Sequence, residues 1–223
     1  MRTARDIYEH YRIMPGLALH QVRVAAVGKM IARHIVEKEV KEQDVIFAGL
    51  FHDMGNIIKA DLSLFPEFLE PQGLAYWQEV KQEYHAKYGD DEHAATEHIA
   101  REIGLPPSAI RIIGSMGFSK AHIVAGAVPL ELKIAEYADQ RVSPHGVVSM
   151  EERLAEGKKR HAKRRADLRS TQDDIADANV DALRKIEEQI FAQTDISPEH
   201  VTDERIAPMA EELYSYPVPV SVR

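Results

Sequence analysis

Cysteine is absent from this 223-residue chain, which excludes disulfide bonds and any zinc site built on thiolates. The strong metal ligands that remain are the side chains of histidine, aspartate and glutamate. Because this ligand set suits Mn, Mg, Fe or Zn, we expect any metal site in the chain to consist of imidazoles and carboxylates.

Long apolar runs are missing as well. The longest weakly polar stretch, IVAGAVPL at Ile123–Leu130, is far shorter than the roughly 20 residues that span a bilayer. The N-terminal sequence MRTARDIYEHYR carries charges every few residues and has no apolar stretch of the kind found in signal peptides. We therefore expect no membrane association and a cytoplasmic location.

Positive charge is in deficit, with 28 Lys and Arg residues against 36 Asp and Glu residues and a formal net charge of −8. This balance repels polyanions at long range and argues against a role in coating nucleic acid. Local positive groups still allow a small phosphorylated substrate as the partner. Nothing in the sequence fixes the oligomeric state, and a homo-oligomer is compatible with it.

Apolar residues recur at helical spacing along most of the chain, whereas alternating β-branched runs are scarce, so we predict an all-α fold. A short N-terminal helix is followed by a break at Met14-Pro15-Gly16 and then by a long helix. On that helix, His20 shares one face with the apolar Val24 and Val27, which predicts that the imidazole points inward.

The next helix is predicted at Val45–Phe51, with Asp44 as its N-cap and Gly55 as its stop. It ends at the doublet His52-Asp53, which follows an apolar run. An unpaired carboxylate at the edge of a core is costly, so some group must compensate its charge.

The remainder of the chain alternates between irregular and helical segments. Asp61–Gly73 is predicted to be irregular. On the last core helix, Asp139 interrupts an otherwise apolar stripe. The helices predicted in this part of the chain are Leu74–Tyr88, Asp91–Ile103, Ser108–Ser115 and Leu130–Val142.

Composition changes near residue 149, which predicts a helical core at 1–148 and a C-terminal helical appendage with an extended tail at 149–223. The tract Ser149–Gln193 is charged and favours helix. It is interpreted either as solvated helices or a dimer contact, or as a basic surface that recruits a polyanion. The final YPVPVSVR is too rich in proline for a helix.

Four inward ionisable residues come from three separate segments: His20, His52, Asp53 and Asp139. Two imidazoles and two carboxylates leave a divalent cation with open positions for water and substrate, as catalytic sites require. Adjacent residues on a helix diverge by about 100°, so the doublet can grip one ion only at a helix end. The alternative is that each residue is an ordinary polar group satisfied within the core.

The pattern H…HD…D occurs in the contexts LHQVRVAAVGKMIA, FAGLFHDMGNI and ELKIAEYADQRVS. Over about Pro15–Ser149 it resembles the HD-domain superfamily of metal-dependent phosphohydrolases. The resemblance implies a helical bundle in which His20, His52, Asp53 and Asp139 hold a divalent ion. It also implies hydrolysis of a phosphate ester or anhydride of a nucleotide-like small molecule, by a phosphomonoesterase, phosphodiesterase or nucleotidase.

The resemblance also suggests catalytic and substrate-binding residues. Either carboxylate of the metal set, Asp53 or Asp139, can also orient the attacking water, and Asp53 is the candidate catalytic residue. His93 is expected to contact phosphate or a metal-bound water. Arg23 either pairs with an acid or approaches phosphate. Many relatives carry HDIGK where this chain has HDMGN, and Lys59, one turn later, either replaces that lysine or is an ordinary surface residue.

Relatives with two metal ions carry further histidines between the doublet and the final aspartate. His93 corresponds to the first of these, but Ser115 and Met116 occupy the next position, so one ion per chain is expected. Two other functions stay open. One is a di-iron oxygenase, and the other is a non-catalytic nucleotide-binding regulatory domain whose appendage contacts a partner.

Overall fold

The computed structural model describes residues 2–36, 38–64, 66–164 and 171–219. The chain is mostly helical, which confirms the all-α prediction. The helices are α1 (Ala4–His10), α2 (Pro15–Arg33), α3 (Glu42–Phe51), α4 (Gly73–Tyr88), α5 (Glu92–Ile103), α6 (Pro107–Ser115), α7 (Ala121–Gly126), α8 (Leu130–Arg141), α9 (Met150–Arg164), α10 (Thr171–Phe191) and α11 (Asp203–Tyr214).

Among the described residues, the named strands form two short antiparallel pairs. Strand β1 (Arg2–Thr3) pairs with β4 (Pro217–Val218) and so joins the two ends of the described chain. Within the predicted extended tail, Pro217–Val218 form a strand, and the last four residues lie outside the described part. Strands β2 (Val142–Ser143) and β3 (Gly146–Val147) form a tight hairpin directly after α8.

Helix α2 is the centre of the bundle and packs against α3, α8 and α11. Gly49 of α3 lies directly on Ala25 of α2, where a Cβ would come within 2.5 Å of the Ala25 Cα atom. Only glycine fits so close a helix crossing. This contact holds α3 against α2, and His20 and His52 lie on these two helices, on either side of the crossing in sequence.

The start of α3 differs from the prediction. The helix begins at Glu42 with Lys41 in the N-cap position, so the assignment of Asp44 as N-cap is wrong. Asp44 is instead a buried residue of the first turn, where the helix dipole favours a carboxylate. The predicted end is confirmed, because α3 ends at Phe51 and His52 is its C-cap.

Position 55 does not need glycine for a left-handed backbone, because its φ is −93°. The reason for the glycine is its close contact with α5. A side chain there would collide with the carbonyl oxygen of Glu92 on α5. The amide of Gly55 also donates a 2.9 Å hydrogen bond to the Thr96 hydroxyl. The glycine therefore allows the turn after the doublet to pack tightly against α5.

The segment after the doublet is irregular, as predicted. Among its described residues it contains two short 3-10 turns, at Asn56–Ile58 and Pro66–Leu69. The second of these turns contacts α2. The predicted irregular stretch Asp61–Gly73 thus folds back over the beginning of the helix that carries His20.

The C-terminal helices share the core of the preceding helices. Leu183 and Ile186 of α10 and Ile206 and Leu213 of α11 are buried in the same apolar cluster as α2 and α3. Buried Arg141 donates hydrogen bonds to the carbonyl oxygens of residues 148, 198 and 201. Apolar packing is therefore continuous across residue 148, and the domain division placed there stays a prediction.

Helix α11 was not foreseen from the sequence. Thr202 caps it by accepting a hydrogen bond from the Arg205 amide. A proline at position 208 inside the helix obscured the signal, because proline disfavours helix interiors. Across the described ranges, none of the helices combines the length and apolarity needed to cross a membrane.

Candidate metal centre

His20 lies on the face of α2 that points toward α8. Its Nε2 atom is 3.2 Å from Oδ1 of Asp139. Both side chains are mostly covered, with about a fifth of each exposed to solvent. This one contact explains why His20 points inward, as predicted. It also explains why Asp139 interrupts the apolar stripe of α8.

His52 is the most buried member of the centre, with 4% of its side chain exposed. Its Nδ1 lies 2.9 Å from the carbonyl oxygen of Gly49, one turn earlier in α3. Because a carbonyl oxygen can only accept a hydrogen bond, Nδ1 must carry the hydrogen. In the neutral ring, Nε2 is then unprotonated and carries a lone pair. That Nε2 atom lies 3.3 Å from Oδ1 of Asp139 and has no hydrogen-bond partner among the described residues.

Three donor atoms therefore converge, one each from His20, His52 and Asp139, and all lie within 4.8 Å of one another. The sequence positions of these residues are far apart, on α2, at the end of α3 and on α8. A buried lone pair that faces a carboxylate is unfavourable unless a proton or a cation lies between them. This unpaired Nε2 atom fits a divalent cation, as does a donor set of nitrogen and oxygen atoms.

Asp53 lies next to this group. Its Oδ2 is 3.8 Å from Nε2 of His52 and accepts a 2.7 Å hydrogen bond from the Asn56 amide. Its backbone N–H donates to Oε1 of buried Gln21, at 3.1 Å. The mutually close set consists of the two histidines and Asp139, so the role of Asp53 as a fourth ligand stays a prediction.

Buried acids dominate the electrostatics of the centre. Burial alone would lower the pKa of His52, but the charge of Asp53 and the close approach of the Asp139 carboxylate raise it to about 9. Burial also opposes ionisation of Asp139, yet the nearby imidazoles of His20 and His52 hold its pKa well below the usual range. A proton on His52 thus occupies the place that a metal ion would take.

A second buried acid, Glu136, was missed by the sequence reasoning. It is fully buried one turn before Asp139, and its Oε2 accepts a 2.6 Å hydrogen bond from the Gly117 amide. Burial, and after it the charge of Asp139, raises the pKa of Glu136 to about 8. Its position could have been predicted from the spacing, because Glu136 and Asp139 are three residues apart on a helix and so share a face.

Gln140 connects the two acids of α8. Its side-chain amide nitrogen lies 3.3 Å from Oε1 of Glu136 and 3.3 Å from Oδ2 of Asp139. On the other side of the centre, the Gln21 amide holds the backbone of Asp53. Two buried amides therefore fix the orientation of the acids, and the sequence reasoning identified neither of them.

Arg23 lies one turn after His20 and pairs with an acid. Its Nε atom is 3.7 Å from Oδ1 of Asp203, the first residue of α11. The same carboxylate accepts a 3.0 Å hydrogen bond from the Val147 amide of the β2–β3 hairpin. Asp203 is therefore the acid in the ion pair that was one of the two alternatives for Arg23. Phosphate binding by Arg23 stays a prediction.

Lys59 and His93 meet at one carboxylate. Lys59 Nζ is 3.0 Å, and His93 Nε2 is 3.6 Å, from Oε1 of Glu92. Each of these basic side chains is about half exposed. The structure thus places the two residues side by side, and their roles toward a substrate stay predictions.

The chain is an all-α bundle in which two histidines and an aspartate could hold a metal ion. One of these histidines, His52, lies at the end of a helix. The family model for the HD domain matches residues 17–142, which is more than half of the chain, and the chain belongs to that family. This membership places it in a superfamily of metal-dependent phosphohydrolases that bind divalent metal. Neither the curated proteins nor the solved structures include a match to the chain.

Proposed function

We propose that this protein is a metal-dependent phosphohydrolase that acts on a phosphate ester or anhydride of a nucleotide-like small molecule. The observation that carries the proposal is the buried Nε2 atom of His52, which has no hydrogen-bond partner in the described chain and faces Asp139. Family membership supports the same reaction class. The proposed partner is a small phosphorylated molecule, and the proposed location is the cytoplasm.

The proposed ligands of one divalent ion are His20, His52 and Asp139, with Asp53 as a fourth. The chemistry that such an ion supplies when bound is neutralisation of charge on a phosphoryl oxygen and acidification of water. Its identity among Mn, Mg, Fe and Zn is not fixed by imidazole and carboxylate ligands alone.

We assign to Asp53 the second task of orienting the attacking water. Its Oδ2 is held by the Asn56 amide, which limits rotation of the carboxylate. About a quarter of the Asp53 side chain is exposed, so water can reach it. A fixed, solvent-accessible carboxylate beside the metal ligands suits general-base chemistry.

The proposed phosphate contacts are Arg23, Lys59 and His93. Lys59 and His93 share the carboxylate of Glu92, and a phosphate group would compete with that carboxylate for their hydrogens. The Nε atom of Arg23 is 3.7 Å from Asp203, and phosphate binding would use the two terminal nitrogens of the same guanidinium group.

The first test measures the metal content of the purified protein and then assays a panel of phosphomonoesters, diesters and nucleotides with the metal that is found. We expect about one equivalent of metal per chain and release of phosphate or of a nucleoside product. Iron near two equivalents with oxygen consumption would favour the oxygenase. Nucleotide-dependent thermal stabilisation without turnover would favour the regulatory domain.

The matching substitution is Asp53→Ala, which we expect to abolish both tight metal binding and turnover. Asp195→Ala is the control, because Asp195 also pairs with a histidine, His34, at 2.7 Å but is exposed and lies outside the centre. Retention of either tight metal binding or turnover by the Asp53 variant would contradict its assignment.

A further inference from the structure

An aromatic ring lies against α2 one turn before His20. Phe68, in the 3-10 turn Pro66–Leu69, places its ring over Gly16, where an added Cβ would come within 2.9 Å of the Phe68 Cγ atom. Any side chain at position 16 would displace the ring. The glycine therefore permits this particular placement of Phe68.

A second planar side chain lies beside the first. His145 is exposed in the turn between β2 and β3, and its ring centroid is 6.3 Å from that of Phe68, with the planes inclined by 50°. The hairpin follows directly from α8, the helix of Asp139. It is held in place because Gly146 and Val147 pack and bond against Asp203.

The position of these rings follows from helix geometry. Gly16, His20 and Arg23 share one face of α2, with one turn of about 5.4 Å between successive members. Side chains on a helix lean toward its N-terminus, so the His20 imidazole leans toward the turn that Phe68 covers. The Phe68 ring thus lies on the N-terminal side of His20. The hairpin that carries His145 runs from this ring to Asp203, the partner of Arg23.

We propose that Phe68 and His145 determine substrate specificity by holding the planar ring of the substrate, such as a nucleobase, while its phosphoryl group is at the metal ligands. The inference rests on the proposed function and deepens it. It also places the planar ring of the substrate on the N-terminal side of His20, where Phe68 lies over Gly16. The competing interpretation is a packing contact that only shields the start of α2.

The test compares four nucleoside 5′-monophosphates with ribose 5-phosphate, which has the same phosphate and sugar but no base. Stacking of one base is worth about a tenfold change or more in an equilibrium or specificity constant. We expect the best nucleotide to exceed ribose 5-phosphate by at least that factor in kcat/KM. Phe68→Leu, which keeps an apolar side chain but removes the ring, should abolish the preference, and Phe68→Tyr should keep it.

The matched control is Phe191→Leu, because Phe191 is also part-buried and in edge contact with an aromatic ring, that of Tyr137, on the side of α8 that packs against α10. The control should keep the preference for the nucleotide. His145→Ala should reduce the preference without changing metal content. Equal turnover of the nucleotide and ribose 5-phosphate by the natural protein, or an unchanged preference in Phe68→Leu, would overturn the inference.

Binding titrations with the same compounds separate this inference from the proposed function. If no ester is hydrolysed, the proposed function fails. The ring site still predicts that a nucleotide binds the full chain about tenfold more tightly than ribose 5-phosphate, and that Phe68→Leu removes the difference. Absence of that difference overturns the ring site whatever the turnover assays show.

Discussion

The Nε2 atom of His52 lies 3.3 Å from Oδ1 of Asp139, and the same oxygen lies 3.2 Å from Nε2 of His20. One carboxylate oxygen on α8 therefore receives both imidazoles, one from α2 and one from the end of α3. Apolar packing alone does not explain why α2, α3 and α8 meet at this oxygen. A buried carboxylate requires a positive partner, and here the two imidazoles are the groups that approach this oxygen.

Substitution of Asp139 by Asn should weaken metal binding far more than it weakens folding. The amide keeps the size of the side chain but removes the charge that both imidazoles face. Loss of a partner that merely orients a ligand costs about 10–100-fold in metal affinity, so loss of a direct ligand should exceed about 100-fold. Calorimetric titration with Mn²⁺ measures the change. Near-natural affinity in the Asn variant would exclude Asp139 as a ligand.

Gln21 should support the centre through the backbone of Asp53. Replacement by Leu leaves the Asp53 amide without its acceptor, which costs about 1–3 kcal/mol for a buried group. We expect a loss of stability of that size in urea unfolding, together with weaker metal binding. Gln82→Leu, an exposed position on α4, is the control and should change neither quantity. Unaltered metal affinity in the Gln21 variant would show that its amide does not position the doublet.

The metal-free protein should become less stable as the pH rises. His52 has a folded-state pKa of about 9 against a usual value of 6.5, so its contribution is complete below 6.5 and is lost toward 9. Glu136 acts in the same direction, since its pKa of about 8 against 4.5 means that the folded state retains a proton that the unfolded state releases.

Bound metal should reduce this pH dependence and bind more tightly as the pH rises through the same window, because it replaces the proton on His52. Urea unfolding between pH 6 and 9, with and without Mn²⁺, measures both effects. Stability that increases with pH in the metal-free protein would contradict the assigned protonation of the centre.

Gly49→Ala should separate the helices that carry the two histidines. The new methyl group would meet the backbone of Ala25, so the crossing must open, at a cost of about 1–3 kcal/mol or more. Metal affinity should fall with stability. Gly157→Ala is the matched control, because a Cβ at Gly157 meets nothing within 4 Å, and alanine is favoured over glycine inside a helix by about 1 kcal/mol. Thermal unfolding should therefore shift in opposite directions for the two variants.

Parts of the centre were predictable because helical periodicity reports which way a side chain faces. The inward direction of His20, the helix end at His52 and the polar interruption at Asp139 all follow from spacing and are found in the structure. Periodicity does not report which helices meet. The contact of Gly49 with Ala25, which sets that pairing, has no signature beyond a glycine inside an apolar run.

The unpredicted parts depend on contacts between distant residues. Asp203 holds both Arg23 and the β2–β3 hairpin, but it belongs to α11, whose internal proline hid the helix. Glu136 was not identified from the sequence, although its burial makes it part of the acid cluster. The N-cap of α3 was misplaced because Asp44 has a capping residue type but lies inside the first turn.

The central claim is that His20, His52 and Asp139 hold a single divalent ion. Crystals grown with the native metal and measured at its absorption edge test this claim most directly. We predict one anomalous peak at a bonding distance of about 2.0–2.3 Å from Nε2 of both histidines and from the Asp139 carboxylate. A metal-replete, active protein whose anomalous peak lies away from these three atoms would contradict the account.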